Sequence, residues 1–197
     1  MHRSSRQSGF TLIELLVSVA IFTIVITIAI GALLVLVDAN ARAQNMQAAI
    51  TNVTFALDSI AREVRTGSGH YCSNTQISGS AGAATTRDCP SGASHISVIE
   101  GGESLTAVGT GRVAFRHNAT DQSVERRVGD GSWLPITSRD VQITELAFYS
   151  EGSARSRDGD TVQPTVTIYV SGYAGELESA RSSFALQTTV TKRILDI

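Results

Sequence analysis

The chain has 197 residues, 42% of them hydrophobic, and a formal net charge of −2. That length accommodates one domain plus a membrane helix, and the slightly acidic balance gives a basic nucleic-acid-binding patch little support. Histidines at positions 2, 70, 95 and 117 and two cysteines define no base–nucleophile pair and no zinc-ligand spacing.

Arg3 and Arg6 lie in a short segment that ends at Gly9. Phe10, Thr11, Leu12, Ile13 and Glu14 follow, and then an uncharged apolar run from Leu15 to Val37. Roughly twenty such residues cross a bilayer core. The preceding arginines keep the amino terminus cytoplasmic and send the rest of the chain outside. A secretory signal is cut after its apolar region; here the candidate cut, between Gly9 and Phe10, precedes it, so the helix is retained. An uncleaved signal anchor is the alternative, with the same orientation. Glu14 sits just inside the apolar segment. A carboxylate at helix-centre depth costs about 2.5–3.5 kcal/mol, so Glu14 needs a partner, and an amine freed on Phe10 is a candidate.

No proline precedes Pro90, and Gly31 is the only glycine between Phe10 and Arg65. Beyond Val37, Met46, Ile50, Val53, Leu57, Ile60 and Val64 recur at alternating spacings of four and three, one face of a helix. The expectation is a stripe packed on a sheet of the same chain; a coiled-coil seam is the alternative. One helix from Phe10 to Arg65 has a length of about 80 Å.

Gly67, Ser68 and Gly69 are expected to stop the helix. His70 to Ser94 reads as a loop holding Cys72 and Cys89, which in an exported domain points to one disulfide, with two free thiols as the alternative. Short strands are expected at Ile96–Ile99, Leu105–Val108 and Arg112–Phe115, and a hairpin at Val124–Val128 and Trp133–Ile136 around Gly129-Asp130-Gly131. Val141, Ile143, Leu146 and Phe148 form a longer strand whose phase slip after Ile143 predicts a bulge. Alternation around Val166, Ile168 and Val170, and again around Phe184, Leu186, Thr188 and Val190, predicts two more strands of an antiparallel sheet with one wet face. The last of these is expected inside the sheet or near its centre. Glu151 to Pro164 reads as a polar, mobile loop. Asp158 and Asp160 offer oxygen ligands for calcium, but two carboxylates fall short of a shell, so a polar turn is the expectation. Arg126, Arg127, Arg155 and Arg157 read as solvated charges, and Trp133 and Tyr149 as half-core side chains or interface anchors.

Gly9-Phe10-Thr11-Leu12-Ile13-Glu14-Leu15 resembles the processing and methylation motif of type IV prepilins and type II secretion pseudopilins. The resemblance covers about the first forty residues. Phe55 to Arg65, and Phe184 to Arg193 after the strand that begins at Pro164, look like the helix end and the final strand of minor subunits of the pilin W and pseudopilin J type. The resemblance implies an α+β pilin-like fold, a long helix packed on a carboxy-terminal antiparallel sheet. It implies a leader at 1–9, a transmembrane half-helix at 10–37, an amphipathic half at 38–66 and a periplasmic β-rich domain at 67–197. It implies cleavage after Gly9 and N-methylation of Phe10 by a prepilin peptidase, and an ion pair between Glu14 and the Phe10 amine of a neighbour. The expected role is structural: a minor subunit that primes or caps a pilus or pseudopilus, held in the inner membrane until it is extracted into the filament, with other pilins or pseudopilins as its partners. No enzyme activity, cofactor, metal or nucleic-acid partner is expected. A bulk filament subunit, or a periplasmic binding module or enzyme that uses the helix only as an anchor, are the alternatives.

Overall fold

The computed structural model describes residues 9–79, 85–101, 111–154, 159–175 and 181–193. The fold is pilin-like α+β: a long amino-terminal helix, part of which packs on antiparallel sheets. Helix α1 spans Leu12–Thr66. The strands are β1 Ser68–Ser73, β2 His95–Ile99, β3 Arg112–Asn118, β4 Ser123–Val128, β5 Leu134–Pro135, β6 Val141–Glu151, β7 Thr165–Ala174 and β8 Ser182–Thr191. The chain divides into two compact units, Met1–Ala41 and Arg42–Ile197.

In the first unit the large apolar side chains from Phe10 to Val37 are exposed. Its hydroxyls are satisfied within the helix: Ser18 donates to the Glu14 carbonyl at 2.7 Å, Thr23 to Val19 at 2.7 Å and Thr27 to Thr23 at 2.8 Å. A helix built this way has no unmet polar demand in lipid from these side chains.

In the second unit, the helix buries Ala49, Val53, Ala56, Leu57, Ile60 and Val64. These include four residues of the expected stripe, and the packing on strands of the same chain is as expected. Ile50 is not in it: it stays 43% exposed, and Met46 is only half-buried. The small residues Ala49 and Ala56 complete the buried face instead. Straight helices turn by 3.6 residues, so an alternating four–three pattern drifts off a flat sheet surface over several turns. The core joins this helix face to Ile96, Val98, Val113 and Phe115 on one side and Ile143, Phe148, Ile168 and Val170 on the other.

Those two sets belong to different sheets. The order is β1-β2-β3-β4-β5 in one and β6-β7-β8 in the other, where a single sheet was expected. The pairings between these strands are all antiparallel. The hairpin around Gly129 pairs Arg126 with Leu134, and the bulge falls between Ile143 and Glu145, both as expected. Gly172 lies at that bulge, where a Cβ would come within 2.2 Å of the Gln142 carbonyl oxygen.

Two further expectations are corrected. Ser68–Ser73 is a strand, not the start of a loop, because it pairs with β2 from Ser73↔His95 to Ser68↔Ile99. Strand β8 is an edge strand rather than a central one. Its alternation reports that one face is covered; it carries no information about a second neighbour in the plane of the sheet. The expected strand Leu105–Val108, Arg155, Arg157 and Asp158 lie outside the described residues.

Candidate functional site: the amino-terminal segment and the clamp between the sheets

Thr11 immediately precedes α1 and caps it. Its hydroxyl accepts the Glu14 N–H at 3.3 Å and its carbonyl accepts the Leu15 N–H at 3.2 Å. Thr11 and Glu14 have capping-box spacing. Glu14 therefore stands in the first turn, where the helix dipole favours a negative charge. Among the described residues its carboxylate has no ion-pair partner.

Gly9 and Phe10 lie outside the helix. Phe10 is 80% exposed. A Cβ on Gly9 would meet nothing within 4 Å, so the fold of this chain makes no demand for glycine there. A cut between Gly9 and Phe10 would leave the Thr11 cap and every helical hydrogen bond in place.

Cys72 and Cys89 form a disulfide with a Cα–Cα separation of 5.7 Å. It joins β1 of the larger sheet to a segment that docks on β6 of the smaller one. Cys89 N–H donates to the Ser150 carbonyl at 3.0 Å, and Ala93 and Phe148 exchange two backbone hydrogen bonds at 2.9 and 2.8 Å. Both sulfurs lie against the Phe148 carbonyl oxygen, at 3.5 and 3.2 Å. The bridge is thus a clamp between the sheets rather than a staple on a peripheral loop.

Sequence reading missed Arg112. Its residue is 1% exposed, and its guanidinium donates to the carbonyls of Gly69 at 3.0 Å and Thr85 at 2.6 Å and to Ser97 Oγ at 3.1 Å. Burial pushes its pKa down to about 10, an effect partly offset by the neighbouring Tyr71; it remains a cation at neutral pH. Nothing in its local sequence separates it from an ordinary strand charge.

Arg126 and Arg127, expected to be solvated, are engaged. Arg126 pairs with Glu63 at 3.0 Å. Arg127 is buried, donates to the Ile77 carbonyl at 2.7 Å and lies 4.9 Å from the Trp133 ring centre. Arg116 stacks on Trp133 at 4.3 Å and pairs with Glu125 at 2.8 Å. His95 meets Trp133 edge-on, with centroids 6.4 Å apart. Burial first, then Arg116 and Arg127, holds the His95 pKa below its usual value. Trp133 is half-buried in this cluster, while Tyr149 is 39% exposed. No group of three or more metal-ligating side chains occurs among the described residues.

The model of the prokaryotic N-terminal methylation motif matches residues 4–30. No curated protein and no solved structure matches the chain. The chain thus carries a prokaryotic N-terminal methylation motif at the start of its long apolar helix.

Proposed function

We propose that this protein is a minor subunit of a type IV pilus or type II secretion pseudopilus. It is made as an inner-membrane precursor, cut after Gly9 and methylated on Phe10 by a prepilin peptidase. The carrying observation is the combination at the start of α1: a glycine–phenylalanine junction, one carboxylate at Glu14, and bare apolar side chains from Leu15 to Val37. A plain anchor has no use for an acid at that depth, because an unpaired charge in lipid is costly. When subunits bundle, the Phe10 amine of a neighbour offers Glu14 an opposite charge, and low dielectric makes such a pair strong. The carboxylate then sets the axial offset between adjacent helices. The second unit supplies the surface that selects partners. The minor role is favoured by the similarity in order and pattern of Phe55–Arg65 and Phe184–Arg193 to minor subunits.

Mass spectrometry of protein from assembled filaments is expected to find an amino terminus at N-methylated Phe10. Gly9→Leu is expected to block the cut without altering the fold, given the open space around Gly9. Recovery of Met1 on assembled protein would sink the processing reading. Glu14→Ala is expected to leave membrane insertion and cleavage intact and to reduce co-purification of partner pilins. Unchanged partner recovery and unchanged assembly would favour a simple anchor.

A further inference from the structure

The three-stranded sheet has two edges of opposite character. The β6 edge is occupied: Ala93 bridges to Phe148, Cys89 N–H reaches the Ser150 carbonyl, Ile143 N–H donates to the Gln122 carbonyl at 2.7 Å, and His117 donates to the Ile143 carbonyl at 2.9 Å. The β8 edge has no such cover among the described residues. Lys192 N–H donates inward to the Pro164 carbonyl at 3.0 Å. Antiparallel pairing alternates, so with the register Val190↔Val166 to Ser182↔Ala174 the even-numbered residues bond to β7. Ser183, Ala185, Gln187, Thr189 and Thr191 therefore direct their backbone N–H and C=O groups away from the sheet.

Edge strands are ordinarily blunted by lysine, proline or a bulge. Ser182–Thr191 contains no charge and no proline, and its register with β7 runs without a shift. On the core side Phe184 and Leu186 pack against the cluster but stay partly exposed. A neighbouring strand would complete their cover. Arginines mark both ends: Arg181, stacked 4.4 Å over Tyr173, and Arg193, whose N–H is held by the Arg65 carbonyl at 2.9 Å.

We propose that β8 is a strand-docking edge for a partner chain different from this one. The segment it fits is extended, uncharged and apolar at alternate positions over about ten residues, with acidic residues at both ends. The arginines disfavour a second copy of β8. Antiparallel pairing centred on Gln187, which uses all five outward-facing residues, sets Arg181 against Arg193 of the copy; parallel in-register pairing sets each arginine against itself. Like charges directly opposite oppose pairing. The β6 edge of a copy is excluded because it is already covered. Acidic flanks answer both arginines at once.

The test uses the full chain in detergent micelles and a fluorescein-labelled synthetic peptide of alternating valine and threonine with two aspartates at each end. Fluorescence anisotropy is expected to show saturable binding. Ala185→Pro removes an N–H that points away from β7, and is expected to weaken binding about tenfold. A peptide with lysine flanks is expected to bind about threefold or more weakly than the aspartate peptide, and Arg181→Glu with Arg193→Glu to reverse that preference. Absence of saturable binding overturns the proposal, as does binding that neither Ala185→Pro nor charge reversal changes. Disulfide-linked dimers that form readily with Gln187→Cys and not with Thr191→Cys would place a second copy on the edge, and also overturn it.

Discussion

Two histidines on the larger sheet illustrate how context assigns a role to a side chain. His70 is buried and its ring nitrogen donates to the Val64 carbonyl at 3.0 Å, meeting a backbone acceptor in the last turn of α1. Burial first, and then the charges of Arg116 and Arg127, oppose protonation of His95. Its folded pKa lies below the unfolded value of about 6.5, so the unfolded chain takes up the proton first as pH falls. Stability is then full above the unfolded pKa and declines as pH drops through it toward the folded pKa. Urea unfolding between pH 8 and 5 is expected to show that decline, and His95→Asn to flatten it. A variant with the same pH slope as the parent would remove His95 from the account.

At the scale of elements, α1 is two helices in one by environment. Its first half has exposed apolar side chains all round; its later half buries one narrow face. Ile60→Ala empties a fully buried site and is expected to cost about 2–5 kcal/mol. Ile50→Ala, on a residue the same heptad-like pattern would have counted as core, is expected to cost less than about 0.5 kcal/mol. Equal losses in a denaturant titration would contradict the observed face. The helix end is equally constrained: a Cβ on Gly67 would fall 2.6 Å from the Glu63 carbonyl and 2.7 Å from the Ile99 carbonyl, so glycine there permits α1 to turn directly into β1.

For the second unit as a whole, the disulfide, the Ala93–Phe148 bridge and the helix face are what make two sheets share one core. Closing a loop of 17 residues is worth about 3 kcal/mol in the chain-entropy model. Replacing both cysteines by serine is expected to lower stability by about that amount. It is also expected to raise hydrogen exchange at the amides of position 89, Ala93 and Phe148 before the rest of the sheets. Loss of protection spread evenly over both sheets would show that the bridge acts only through the unfolded chain.

The amino-terminal motif, the long helix and most strand positions were legible in the sequence because each rests on local chemistry: charge before an apolar run, absence of proline, alternation of period two. The bulge after Ile143 and the turn at Gly129 were legible for the same reason. The pairing of Cys72 with Cys89 followed from there being only two cysteines. What the tertiary structure decided is everything that depends on who lies beside whom. Arg112 and Arg127 read as ordinary strand charges until carbonyls of distant segments were brought to them. Ser68–Ser73 lacks apolar alternation and becomes a strand because β2 presents a ladder to it. The partition into two sheets, the edge position of β8 and the exclusion of Ile50 from the core are likewise non-local. Side-chain alternation records which face of a strand is covered, while hydrogen bonding in the plane of the sheet runs at right angles to it and leaves no trace in the pattern.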